Sequence, residues 1–189
     1  MLKLMATIAA VVLTASGASA QNRDLRVLKG ADSAVTSTPD DFSASDMGYV
    51  RIGEWQTYYY AGFELGLRAF RTKADGETLY VLSVFAPRLR APGDIVSVTG
   101  RGGLEFKRLS TTAGRANCSS YSCRQDVAGS FEVPESVLAS VRAGNPVDVR
   151  ISTTCGTECD IIQPISYLSL KLLDDWVGKL PAPTTSPTP

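Results

Sequence analysis

Apolar and polar positions alternate with period two over residues 63–70, where Phe63, Leu65, Leu67 and Ala69 are interleaved with Glu64, Gly66, Arg68 and Phe70. That period sends successive side chains to opposite faces and predicts a strand with one buried face. Leu79, Val81, Ser83 and Phe85 form a second series, interleaved with Tyr80, Leu82 and Val84, which predicts a strand covered on both faces. Ala74-Asp75-Gly76 lies between them. Asp-Gly is a strong turn pair because glycine tolerates positive φ, so the two strands should form a hairpin. A second hairpin is expected from residues 94–99 and 104–109, joined through Gly100-Arg101-Gly102-Gly103. This glycine-rich loop lacks the Lys-Ser/Thr of a phosphate loop and the spacing of a dinucleotide fingerprint, and reads as a turn.

The pattern changes in the last third. Pro134-Glu135-Ser136 opens a short helix through Arg142, which Gly144 and Pro146 stop. Val147, Val149 and Ile151 then alternate with Asp148, Arg150 and Ser152 as another strand. After Ile161-Ile162, Pro164 is placed in the first turn of a final helix, where its missing N–H costs nothing. Ile165, Leu168, Leu172, Trp176 and Leu180 recur at intervals of three and four and form its core stripe, with Lys171, Asp174 and Asp175 off that stripe. The fold class expected is mainly β with two short helices, a single antiparallel sheet or β-sandwich domain, with α+β as the alternative.

The ends of the chain read differently. Lys3, an apolar run from Leu4 and the small-residue end Ala18-Ser19-Ala20 mark residues 1–20 as a cleavable signal peptide; the run is too short to span a membrane. Residues 21–48 are rich in Ser, Thr, Asp and Gly and are expected to be an extended acidic leader. Residues 49–179 form the expected globular domain. Residues 180–189, with Pro181, Pro183, Pro187 and Pro189, are expected to be a disordered tail. A periplasmic or secreted location follows from the signal, with no membrane span in the mature chain.

Charge and rare residues narrow the chemistry. The chain has 19 basic and 19 acidic residues, and losing residues 1–20 removes only Lys3 among them, leaving a mildly acidic protein that is not a candidate for nucleic acid. The distribution is uneven: Arg88, Arg90, Arg101, Lys107, Arg108, Arg115 and Arg124 face only Asp94 and Glu105 between residues 86 and 124. There is no histidine, which excludes Ser-His, Cys-His and His-metal mechanisms within this chain. The four cysteines of an exported chain read as two disulfides, with Cys118 bonded to Cys123 and Cys155 to Cys159 because each bond closes a short turn. Neither spacing is Cys-x-x-Cys, and neither a metal nor another cofactor is expected.

Two functional readings remain. The aromatic group Trp55, Tyr58, Tyr59 and Tyr60, with Arg88 and Arg90, offers flat amphipathic rings and planar multidentate donors, the residue types that recognise sugars and protein surfaces. On a strand Tyr58 and Tyr60 share one face. Trp55, Tyr58, Tyr60, Arg88 and Arg90 are therefore the candidate binding residues of an exported accessory module that recognises an envelope protein or glycan. The same residues also fit a plainer role, with the rings filling a sheet face and the arginines lining a solvated edge. The alternative function is a carboxylate-dependent hydrolase of an envelope polymer, drawing on two of Glu54, Glu64, Asp94, Glu105, Glu132 and Glu135.

Overall fold

A computed structural model describes residues 35–38, 44–55, 63–154 and 160–183, and within them the period-two segments are strands. Strand β3 (Phe63–Thr72) buries Phe63, Leu65, Leu67 and Ala69, and β4 (Thr78–Arg90) buries Tyr80, Leu82, Val84 and Ala86 against the same core. They pair as the expected hairpin, with Gly76 at φ 77 and the Asp75 carboxylate accepting the Glu77 backbone N–H at 2.9 Å. The second face of β4 is only partly covered: Val81 is buried, while Leu79 and Phe85 are 39% and 40% exposed. That corrects the expectation of a strand enclosed on both sides.

Two antiparallel sheets form a β-rich, sandwich-like domain. The larger has the order β1-β2-β3-β4-β9-β7, with β8 added to β9; its remaining members are β1 (Thr36–Thr38), β2 (Ser45–Trp55), β7 (Lys107–Ala113), β8 (Asn117–Cys118) and β9 (Cys123–Glu132). The smaller runs β11-β10-β5-β6, from β5 (Ile95–Gly100), β6 (Leu104–Glu105), β10 (Val147–Thr153) and β11 (Ile161–Ile165). The second expected hairpin is real only over its first turn. After β6 the buried Phe106 donates its N–H to Val98 O at 3.0 Å, and the chain then leaves the smaller sheet to form β7 on the larger one. A buried anchor at Phe106 between two exposed segments is what makes the crossing: its ring stays in the shared core while the backbone on either side serves different sheets. Arg108 ties the seam, donating to Asp94 at 3.0 Å and to the carbonyls of Ile95 and Val96, with its guanidinium 6.0 Å from the Phe131 ring centre.

Both helices lie over this core. α1 (Glu135–Arg142) follows Pro134, buries Val137, Leu138 and Val141, and ends before Gly144 at φ 86. α2 (Tyr167–Val177) begins later than its proline suggested. Pro164 lies in the edge strand β11, paired in register with Asp148, where a residue without an N–H is tolerated, and Ser166 is the N-cap, its hydroxyl accepting the Ser169 N–H at 3.3 Å. The later start rotates the buried stripe to Leu170 and Leu173, with Leu172, Trp176 and Val177 partly buried, in place of the expected set led by Ile165 and Leu168. Ile165 is buried, but from the strand. The Trp176 ring rests on β2 at Gly48, where a Cβ would stand 2.6 Å from it, so the sheet admits only glycine there.

Asp174, off the expected stripe, joins three elements. The Tyr80 hydroxyl of β4 donates to one of its oxygens, and Arg142 of α1 donates Nε to the other at 3.0 Å while lying 5.4 Å from the Tyr80 ring centre. Burial first, then Asp174, pushes the Tyr80 phenol well above its ordinary value, and the bond to Asp174 raises Arg142. β1 and the first residues of β2 precede residue 49, within the polar leader, and residues 180–183 continue past α2, with Pro183 close to Gly76. The boundary drawn at 48/49 falls inside β2. Residues 1–20, expected to be a signal peptide, lie outside the described residues, and among those described no helix is long and apolar enough to cross a membrane.

Truncation of Leu170 to Ala should cost about 2 to 5 kcal/mol in denaturant unfolding, and Leu172→Ala distinctly less, because only the first is fully buried. Tyr80→Phe should cost roughly 1 to 3 kcal/mol by leaving Asp174 without its hydroxyl donor. Equal losses at Leu170 and Leu172 would contradict the helix orientation.

Candidate functional site

Arg88, Arg90 and the backbone of Trp55 lie at one end of the larger sheet. Pro87 cannot donate to the ladder, and β4 bulges there: pairing with β9 jumps from Ala86 opposite Val127 to Leu89 opposite Gln125. Arg88 takes a left-handed backbone at φ 56, and its N–H is satisfied by the Asp126 carboxylate at 2.9 Å. Leu89 then returns to the core at 1% exposure, with Gln125 opposite it bonded to the Gly93 carbonyl at 2.9 Å. Arg88 and Arg90, on either side of Leu89, are both exposed. Trp55 ends β2 at the same end of the sheet, its backbone paired with Phe63 at the start of β3. Tyr58 and Tyr60 lie outside the described residues.

Beside β4 the chain makes a small stapled hairpin. Asn117 pairs with Arg124 and Cys118 with Cys123, and the Cys118–Cys123 disulfide closes the turn, as the short-loop connectivity expected. Cys155 and Cys159 lie outside the described residues. Within the loop Ser119 N–H donates to Ser122 O at 2.8 Å, and the Ser119 hydroxyl accepts from the N–H groups of Tyr121 and Ser122 at 3.4 and 3.3 Å. Backbone bonds and a covalent bond thus hold a turn whose central aromatic, Tyr121, is 98% exposed. A buried role for this ring is excluded by its position, since a serine-rich loop of this length has no interior.

The charges at this end differ from those elsewhere. Arg51, Arg101, Arg108, Arg142 and Arg150 each lie within 4.0 Å of a carboxylate, Arg68 stacks on the Tyr49 ring, and Arg71 donates to the Val177 carbonyl at the end of α2. Among the described residues the arginines without such a partner are Arg88, Arg90, Arg115 and Arg124, and all four are exposed at the stapled end. Asp126, which holds the Arg88 backbone, is the carboxylate within this group. Arg90 stands directly opposite Arg124 in the β4–β9 ladder. Two like charges in opposed positions repel, so this row lacks the neutralisation found along the rest of the sheet.

The carboxylates of the hydrolase reading are distributed differently. Glu64 accepts from Arg51 at 2.7 Å and from the Tyr49 hydroxyl at 3.0 Å, and the Arg51 bond holds its carboxyl below the usual range. Tyr49 lies across Gly66, where a Cβ would stand 1.9 Å from the ring, and burial followed by the bond to Glu64 pushes its phenol up to about 12. Asp94 is paired with Arg108, Glu132 with Lys107 and Glu135 with Arg142. Glu105 is exposed on the two-residue β6. Glu54 stands opposite Glu64 in the backbone register. Among the described residues no three metal-ligating side chains gather.

Sequence reasoning singled out Arg88 and Arg90, placed Arg115 and Arg124 only within the wider basic stretch, and passed over Tyr121. The signal was present: one aromatic among serines between two cysteines, with arginines just outside both. No known family model, curated protein or solved structure matches the chain.

Folded-state shifts at the Tyr49–Glu64 pair fix a pH dependence at both extremes. Glu64 contributes stability above its unfolded value near 4.5, which is lost as pH falls through its lowered folded value. Tyr49 contributes stability below pH 10.0, which is lost as pH rises toward about 12. In pH-dependent denaturant unfolding, Glu64→Gln should flatten the acid limb and Tyr49→Phe the alkaline one. Limbs unchanged by both substitutions would contradict the pairing.

Proposed function

We propose that this chain is an exported, non-enzymatic binding module of the cell envelope, recognising a protein or an envelope glycan through the stapled end of its larger sheet. The observation that carries the reading is Tyr121, 98% exposed on a turn closed by a disulfide. Exposing a large ring without a core role is unfavourable for solubility, and fixing it in place lowers the entropy lost on contact, which is how rigid aromatic anchors serve recognition. Four exposed arginines around the turn supply planar donors for the same partner. Export is supported by the N-terminal pattern and by a disulfide, a bond that persists in oxidising compartments. Trp55, Tyr58 and Tyr60 enter the proposal as neighbours in the chain of this end, on the strength of their residue types.

The hydrolase reading has one observation in its favour, the opposed backbone positions of Glu54 and Glu64. Against it, Glu64 is bonded to Arg51 and Tyr49 and held low, whereas a general acid needs a raised carboxyl.

The mature protein immobilised on a resin should retain a defined component of native envelope extract. Tyr121→Ser should leave the melting temperature unchanged and reduce retention about tenfold or more, as loss of an anchoring aromatic does. Joint replacement of Cys118 and Cys123 by Ser should weaken retention by releasing the turn, while costing about 2 kcal/mol of stability for so short a loop. Normal retention by Tyr121→Ser would remove the site.

A further inference from the structure

The alternation of β4 and β9 sends Leu89 and Gln125 toward the core, so Arg90 and Arg124 project from the opposite face, on the same side of the sheet as one another. Side chains in directly opposed positions have Cβ atoms about 5 Å apart. Asn117, the residue opposite Arg124 on its other flank, is neutral and adds no compensation. Arg115, in the connection from β7 to β8, and Arg88, at the bulge, bring two further cations to the same end. Asp126 is a single carboxylate against four guanidinium groups, and one of its oxygens already accepts the Arg88 backbone N–H. A pair of opposed arginines is an unfavourable arrangement in the free protein that a bound oxyanion turns into a favourable one. Each guanidinium presents paired N–H donors matched to carboxylate or sulfate oxygens, and an anion between the two accepts from both.

We infer that this end of the sheet binds an acidic polysaccharide, whose carboxylate or sulfate groups bridge Arg90 and Arg124. This rests on the binding-module reading and names the chemistry of its partner. The buried centre of a protein–protein interface is on average more apolar than its rim, whereas the chain neighbours of Tyr121 are the hydroxyl-bearing Ser119, Ser120 and Ser122, with Asn117 paired to Arg124 beyond them. A single exposed ring suits the apolar face of a sugar, and the serine and asparagine side chains suit its hydroxyls. The four arginines are spread over β4, β9 and the β7–β8 connection, so successive acidic units of one polymer engage successive cations.

The test is titration of the disulfide-bonded mature protein with alginate, which carries only carboxylates, with dextran sulfate, with unmodified dextran and with single-stranded DNA. At least one acidic polysaccharide should bind, dextran should not, and binding should weaken with added salt as counterions compete. Arg90→Gln and Arg124→Gln should each weaken binding roughly tenfold, the scale of a lost charge-assisted hydrogen bond. Arg124→Glu should abolish binding without lowering the melting temperature, because it replaces a like-charge pair with an opposite one. Indifference to both acidic polysaccharides, undiminished binding by the Arg90→Gln/Arg124→Gln double variant, or tighter binding of DNA than of either glycan would each overturn the inference. A fall in melting temperature for Arg124→Glu would do so as well, by assigning Arg124 to the fold. Tyr121-dependent retention of an envelope component alongside indifference to both polymers would sink this inference alone; loss of both would sink the binding reading with it.

Discussion

The pairing of β4 with β9 is the constraint on which the rest of the molecule depends. Along most of its length it is a core element: Leu82 opposite Phe131 and Val84 opposite Gly129 form the floor on which the smaller sheet rests. Gly129 is part of that contact, since a Cβ there would stand 2.8 Å from the Phe131 ring and 3.0 Å from Ile95. The ladder breaks at Pro87 because proline has no donor, then resumes at Leu89, which is buried, after two residues of β4 have passed one of β9. Resumption of pairing after the bulge is what sets Arg90 against Arg124. A strand that simply ended at Pro87 would leave those arginines free to separate.

The same strands carry the couplings that close the domain. β4 contributes Tyr80 to Asp174 and Arg142, joining sheet to both helices, and β9 contributes Phe131, on which Arg108 lies while it grips the first residues of β5. These contacts lie at the far end of the ladder from Arg90 and Arg124. At the stapled end the described side chains make few such ties, and a disulfide and serine hydrogen bonds do the local holding. Packing and exposed charge are thus separated along one pair of strands: apolar and ion-paired where the domain is built, cationic and exposed where it meets solvent.

Much of the scaffold was legible in the sequence, for identifiable reasons. Phe63, Leu65, Leu67 and Ala69 alternate cleanly because β3 has one fully buried face and one mostly half-buried face, Asp75-Gly76 names its own turn, and Pro134 with Gly144 brackets α1. Three features resisted local reading. Phe106 is the buried one of three nearby apolar residues, with Leu104 and Leu109 exposed, and its role in moving the chain between sheets exists only once both sheets are present. Pro164 satisfies either a helix start or an edge strand, and the pairing with β10, not the proline, decides between them. Polar β1 offers no apolar period at all, since an edge strand is held by backbone bonds to β2. The candidate site was half legible: Arg88 and Arg90 stood out as a charged pair, but the opposition of Arg90 to Arg124 depends on register across residues more than thirty positions apart, and Tyr121 gains meaning only from its exposure.

The central claim is that the stapled end is where this protein meets its partner and that an anion is what it meets. Backbone and arginine side-chain NMR spectra recorded while an alginate oligosaccharide is added test it most directly. Resonance changes concentrated on Arg88, Arg90, Arg115, Asn117, Tyr121 and Arg124, saturating with the oligosaccharide and reversed by salt, are the predicted result. Changes centred instead on α2 or the smaller sheet, or spread evenly over all exposed cations including Arg101 and Lys179, would contradict it.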